Sequence, residues 1–394
     1  MNYGIVAEFN PFHNGHKYLI DSVKGDSDTV TVVMSESFVQ RGECACVSPY
    51  ARTQMALKCG ADLVLSLPVP YATASAERFA LGGISVLGGL GCVDTLAFGS
   101  ESGNAEKLKK CADILISDDF SDILEKHLAD GVSFPVARQK AVEEISGGEV
   151  AEVLSSPNNI LGVEYIKAIN KLGLYMDVEL VTRTGVDHDS KISNGGFCSA
   201  SAIREKLITG DFICGYLPEE AREIMVEEIE NNKAPATVRN LETAIIYKLR
   251  SMTVEDFKEL PDVSEGLEYR LFDAVKNSSY LEEILEKVKT KRYTHSRIRR
   301  IIICAFLGIK KSDVLAPVPF IRVLGFNENG AKILKKAKET ATFPIITKAS
   351  EAFALDESAK RVFELECFAR DMLSLALPVR DEFGKEMTDK LIVL

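Results

Sequence analysis

Tyr3-Gly-Ile-Val-Ala-Glu-Phe-Asn-Pro-Phe-His13-Asn-Gly15-His16-Lys17-Tyr-Leu-Ile20 decides how the rest of the chain is read. Gly4 to Phe9 is a short, mostly apolar run that predicts a buried strand. Asn10 and Pro11 end it, and Lys17 to Val23 predicts a helix. A strand that runs through a glycine-containing turn into a helix leaves backbone N–H groups open at the helix start. That end carries partial positive charge and favours phosphate. His13 and His16, three apart, lie on one side of the first turn. Neutral imidazoles there can donate to phosphate oxygens. The competing reading is a capped strand–helix turn with two surface histidines. The chain has only 5 histidines, so the pair is not a product of composition. A metal site would need a third ligand, and no Cys or carboxylate cluster adjoins the pair.

Working outward, the first half alternates strands and helices. Thr29 to Met34, Leu63 to Leu67 and Thr95 to Phe98 are β-branched or apolar runs that predict buried strands. Ser48-Pro49 predicts a helix start, and Gly60 its end. This rhythm predicts an α/β fold with a parallel sheet covered by helices. Ligands in such sheets sit beyond the carboxyl ends of the strands. The turn at Phe9 to Gly15, the Ser35 to Val47 loop and Gly99 all follow strand ends, so they should meet at one cleft. Helices follow over 103–150 and Ile160 to Leu172, then a strand at Val178 to Val181. The pattern is mainly helical from Glu219 onward. The boundary zone at 210–235 divides the chain into a domain at 1–210 and a mainly α-helical domain at 211–394.

Composition narrows the function classes. At 394 residues, two domains are expected. A formal charge of -11 excludes a protein that coats nucleic acid indiscriminately, though not one with a local basic face. No apolar stretch reaches the roughly 20 residues needed to span a bilayer, so a soluble, cytoplasmic protein is expected. The 9 cysteines are expected to be reduced thiols, and no paired spacing for zinc is present.

Further candidates lie along the chain. Gly99 would let a nucleotide approach the backbone, or simply serve a turn. Asn159 would read a base edge, or cap its own helix. Arg183 at a strand end offers planar donors to a triphosphate. Ser199-Ala-Ser201-Ala-Ile-Arg204 places hydroxyls and an arginine at a helix start, where they can donate to phosphate. The Ser35 to Val47 loop, with Ser37, Gln40 and Arg41, is long and polar enough for an active-site lid. Lys287 to Arg300 has no acidic residue in an acidic chain. Its Lys291, Arg292, Tyr293, Arg297, Arg299 and Arg300 have the makeup of an RNA-contact surface. The alternative for such a charge run is a solvated helix face. Lys332 to Lys338 is a weaker basic cluster.

His13-Asn-Gly15-His16 resembles the His-x-Gly-His signature of the nucleotidyltransferase superfamily. Ser199 to Arg204 resembles its second signature, with Ala200 and Ser201 departing from the usual Ser and Thr. The longer run Gly4 to His16 is similar to one family, the bacterial tRNA(Met) cytidine acetate ligases. So are Ser37 to Gly42, Gly60 to Val64, Phe98 to Glu101, Arg292 to Arg297 and Arg322 to Gly325. The resemblance implies a Rossmann-like nucleotidyltransferase domain followed by a helical domain. It implies an enzyme that uses ATP, with Mg²⁺, to activate acetate as acetyl-adenylate, then acetylates the wobble cytidine of elongator tRNA(Met). On that reading the catalytic residues are His13, His16 and Lys17. ATP would contact Ala7, Glu8, Phe9, Asn10, Pro11, Phe12, His13, Asn14, Gly15, His16, Lys17, Gly99, Asn159, Arg183, Thr184, Ser199 and Arg204. Two other functions remain open. One is an adenylyltransferase that leaves AMP on a small molecule; the other is a non-catalytic RNA-binding module with a relict nucleotide site.

Overall fold

The computed structural model describes residues 1–182, 196–264, 266–314 and 317–394. Its centre is a mainly parallel sheet. The strands are β1 (Asn2–Ala7), β2 (Thr29–Ser35), β5 (Leu63–Leu67), β6 (Thr95–Ser100), β7 (Asp177–Thr182), β8 (Ile321–Phe326), β9 (Ile345–Ile346) and β10 (Ile392–Val393). Two short strands, β3 (Phe38–Val39) and β4 (Glu43–Cys44), form a separate antiparallel hairpin. The sheet order is β10-β8-β5-β2-β1-β6-β7, with β9 on β8. From β5 to β7 all neighbours are parallel.

The chain leaves β1 towards β2 and β5 on one side, and later takes up β6 and β7 on the other. β1 and β6 therefore flank the point where the winding reverses. Beyond the carboxyl ends of such a pair a crevice opens.

Strand alternation sends neighbouring residues to opposite faces. Ile5, Val32 and Val64 pack with Ile20, Val23 and Met55 from the helices Asn14–Val23 and Pro49–Lys58. Val6, Val33 and Leu65 pack with Phe79, Ile84 and Ile166 from the helices Ala76–Leu90 and Pro157–Leu172. Buried on both faces, the strands read as continuous apolar runs, which is why they were visible in sequence.

The sheet does not end where the helical part of the chain begins. β8 runs antiparallel to β5, and β10 and β9 run parallel to β8. Residues 211–394 are mostly helices, as expected, yet they supply three strands to the central sheet. The Ser35 to Val47 segment, expected as a loop, contains the β3–β4 hairpin.

Candidate active site

β1 ends at Ala7, and Glu8 to Phe12 carry the chain to His13, the N-cap of the Asn14–Val23 helix. The Gly15 N–H donates to His13 Nδ1 at 3.0 Å, and the His13 N–H donates to His16 Nδ1 at 3.2 Å. Two N–H groups of the helix start are thus satisfied by imidazoles. An Nδ1 that accepts a hydrogen bond carries no proton, so the proton of each neutral ring is assigned to Nε2. The turn fixes the tautomer that presents Nε2–H as a donor. The rings stack with centroids 3.7 Å apart, and Phe9 and Phe12 back His16 at 4.8 and 5.6 Å. Gly15 is required by closeness: a Cβ there would lie 2.9 Å from His13 Cε1.

Arg204 joins this turn to the Ala200–Thr209 helix. Its Nη1 donates to the Asn10 carbonyl at 2.9 Å, and its Nη2 reaches Glu43 Oε2 at 3.2 Å and Ser201 Oγ at 3.4 Å. Ser199 caps that helix by accepting from the Ala202 N–H. Asn14 Nδ2 donates to the carbonyls of Gly196 and Gly215, which holds the segments before and after this helix against the turn. The histidine turn and the Ser199–Arg204 segment, far apart in sequence, therefore sit together.

The β3–β4 hairpin closes on the same place. The Gln40 N–H donates to Glu8 Oε1 at 2.8 Å. Burial pushes the Glu8 carboxyl above its ordinary value, against the pull of Arg204 and Arg41. Ser37 is fully buried at the hairpin's base. Gly42 has φ +73°, and a Cβ there would lie 2.6 Å from the Arg299 backbone, so the hairpin tip rests on the His295–Leu307 helix.

One strand over, Asn159 is buried and its Oδ1 accepts from Ser100 Oγ and the N–H groups of Glu101 and Ser102. It ties down the chain after Gly99 at the end of β6. The carboxylate of Glu101 in return takes the N–H groups of Asn158 and Asn159 at the start of the Pro157–Leu172 helix. Asn159 Oδ1 is thus spent on the Ser100 hydroxyl and two backbone donors. Lys17 reaches along its own helix to the carboxylate of Asp21. Arg183 and Thr184 lie outside the described residues.

The basic segment is only partly a surface. Tyr293 is 8% exposed, with the Arg297 guanidinium over its ring at 5.2 Å, so its ring is used in packing and is not an open stacking platform. Arg297 donates to the Asp262 carbonyl through Nε and Nη2. Arg300 approaches Asp262, and burial lowers its pKa. Arg299 reaches back to Glu43 at 3.6 Å. Lys291 and Arg292 are exposed.

Two features had no reading in sequence. Arg52, fully buried, donates to the carbonyls of Val47 at 3.2 Å, Glu8 at 2.7 Å, Ser35 at 2.8 Å and Glu36. Beside it, buried Glu36, Glu366 and Glu386 surround Arg322 of β8. Burial and the Glu36 charge push Glu366 well up, although its Oε2 accepts from the Val69 N–H. An arginine inside an otherwise apolar strand, Ile321-Arg-Val-Leu, was the one visible sign of this network.

A histidine-capped helix start at the winding reversal of a parallel sheet, with an arginine from a second helix start beside it, defines a nucleotidyltransferase. The HIGH nucleotidyl transferase family model matches residues 1–387. A tRNA(Met) cytidine acetate ligase of Thermoanaerobacter sp. strain X514 is 39% identical, over 99% of both chains. That of Caldicellulosiruptor saccharolyticus is 41% identical over 94% of this chain and 93% of the relative. The crystal structure of Thermotoga maritima TmcAL in its apo form matches with a TM-score of 0.95 at 33% identity, over 100% of this chain and 99% of that one. The same protein bound with alpha-thio ATP matches at 0.93, with the same identity and coverage. The chain belongs to the tRNA(Met) cytidine acetate ligase family. Among the described residues no helix is long and apolar enough to cross a membrane.

Proposed function

We propose that this protein uses ATP to activate acetate and transfers the acetyl group to the exocyclic amine of the wobble cytidine in elongator tRNA(Met). The observation that carries the reading is the histidine-capped helix start, in a chain similar along its whole length to a relative bound with alpha-thio ATP. An acetate oxygen attacks the α-phosphorus of ATP and pyrophosphate leaves. The Nε2–H groups of His13 and His16, and the N-terminus of their helix, donate to phosphate oxygens as charge builds. Arg204 adds a planar donor held in place by Asn10 and Glu43. Preorganised donors of this kind supply the acceleration, with no covalent enzyme intermediate.

Among the described residues no group of three or more His, Cys, Asp or Glu is placed to hold a metal. Mg²⁺ would enter as the counterion of the substrate ATP, held by phosphate and water. Residues 1–210 contribute the nucleotide chemistry and residues 211–394 the RNA surface, in which Lys291 and Arg292 are the exposed members. A tRNA substrate places the reaction in the cytoplasm.

The test is incubation with ATP, labelled acetate and total tRNA, followed by nucleoside analysis. Acetylcytidine, with AMP and pyrophosphate released in equal amounts, is the expected result. An AMP-bearing small molecule, or no label in RNA, rejects it.

A further inference from the structure

Arg204 also lines a cleft of about 1040 Å³ to which no residue of the histidine turn contributes. Its walls are the β3–β4 hairpin, the Ala200–Thr209 helix, residues 235–242 and the helices Leu281–Val288 and His295–Leu307. Arg204 is shared between the two spaces: one end holds the Asn10 carbonyl in the turn, the other holds Glu43 in the cleft. Glu43 is gripped from a second side by Arg299. Its carboxylate is thereby fixed between Arg204 and Arg299, and its side chain is still 32% exposed.

The cleft's chemistry is specific. Ile208, Val238 and Leu285 give it apolar walls, suited to the faces of a base. Arg239 and Arg299 offer planar donors to phosphodiesters, in a lining they share with the carboxylates of Glu205, Glu242 and Glu282. Thr237 and Val238 also line it, so the N-terminus of the Val238–Arg250 helix opens into the same space. A fixed carboxylate is the acceptor that an exocyclic amine requires. The volume exceeds that of a single nucleoside, which leaves room for its phosphates.

We propose that this cleft receives one extruded pyrimidine nucleotide of single-stranded RNA, and that Glu43 accepts a hydrogen bond from its exocyclic amine and aims the nitrogen past Arg204 at the acyl-adenylate. The inference rests on the acetyl-transfer reading above. The amine lone pair attacks the acetyl carbonyl carbon. The new C–N bond forms, the acyl C–O bond to phosphate breaks, and AMP leaves with that electron pair. The surplus proton passes from nitrogen by way of the Glu43 carboxylate to water. An extruded base pays its unstacking cost most cheaply from a loop, where it is not paired.

The test uses Ile208→Trp and Glu43→Gln in the full chain, with an unmodified tRNA(Met) transcript as probe. Ile208 is 46% exposed, so a larger side chain fills the mouth of the cleft without entering the core. Two rates are read: acetate-dependent ATP–pyrophosphate exchange and single-turnover acetyl transfer. Ile208→Trp should keep exchange within about twofold and lower transfer at least tenfold, through a raised KM for tRNA. Glu43→Gln also loosens Arg204, so it should lower exchange several-fold, but transfer about 10²-fold further, the usual scale for a group that handles the proton, at an unchanged KM for tRNA, with partial rescue by Glu43→Asp. Transfer at the wild-type rate in both variants overturns the proposal, because the nucleotide then enters elsewhere. Loss of exchange as large as the loss of transfer, in either variant, also overturns it, because the cleft is then a wall of the ATP site. Wild-type protein that exchanges pyrophosphate but never acetylates RNA removes the acetyl-transfer reading itself, and that result is distinct from either variant outcome.

Discussion

His13 and His16 cap each other: the ring of the first takes the Gly15 N–H, and the ring of the second takes the N–H of His13. One pair of side chains therefore both starts the helix and sets the direction of its own donors. The two roles separate by mutation. His13→Asn keeps a good N-cap acceptor but has nothing at the Nε2 position. It should melt within a degree or two of wild type and lose roughly 10²–10³ in pyrophosphate exchange. His16→Ala should show the same kinetic loss together with about 1 kcal/mol lower stability. Thermal melts and exchange rates measured on both variants check this.

Arg52 holds four carbonyls from three separate segments: the exit of β1, the exit of β2 and the return of the hairpin. Removing its guanidinium leaves those buried acceptors without donors. Arg52→Met should cost on the order of 3–5 kcal/mol. Arg52→Lys, a single point donor that cannot span the segments, should recover little of it. Urea denaturation reads the loss. If Arg52→Lys proved as stable as wild type, the fork would not be what joins the three segments.

The basic segment divides into residues that hold the fold and residues that face solvent. Arg297→Ala loses the bonds to Asp262 and the stacking on Tyr293, and should lower Tm by about 2–4 °C. Lys291→Ala should leave Tm unchanged, weaken tRNA binding and flatten its salt slope by roughly one unit or less. Binding titrations at several salt concentrations, beside melting curves, distinguish the two. Equal salt slopes in wild type and Lys291→Ala would move the RNA surface elsewhere, with Lys332 to Lys338 next.

Glu228 carries a buried carboxylate oxygen with no hydrogen-bond partner. Burial raises its pKa above the ordinary 4.5; Lys233 and Arg370 oppose the rise, and Glu227 and Asp381 add to it. With the folded pKa above the unfolded one, the folded state binds more protons between the two values. Stability then falls as pH rises through that window, and the penalty is fully present above it. Glu228→Gln should be more stable than wild type at pH 7, and the difference should vanish at pH 4. Denaturation curves at the two pH values test the sign.

The sequence made the site legible where local chemistry and topology agree. The strand before His13, the glycine beside it and the helix after it are contiguous, so one stretch of chain displayed the whole turn. Arg204 was legible because it too opens a helix. Glu43 and Arg52 were not. Their roles depend on which carbonyls and guanidiniums the tertiary fold brings near them, and nothing adjacent in sequence marks that. β8 was missed for a related reason. Six residues between helices give no useful periodicity, and the strand's partner, β5, lies some 260 positions earlier. Tyr293 shows the converse: composition offered an aromatic for stacking, and the fold places its ring in packing under Arg297.

The antiparallel pairing of β8 with β5 sets Leu63, Val64 and Leu65 against Phe326, Gly325 and Val323, and Ile392 and Val393 then close the outer side of β8. During synthesis the amino-terminal half leaves the ribosome first. Until residue 326 has emerged, β5 is a bare edge whose five residues are all apolar or small, with open hydrogen-bonding groups along its length. The nascent chain must therefore be shielded, or stay loosely collapsed, throughout synthesis of the residues between Leu67 and Phe326. Expressed alone, a fragment ending near residue 210 would carry that edge permanently and should self-associate. The histidine turn, though written in the first twenty residues, cannot rest on a finished sheet until nearly the last of the chain has arrived.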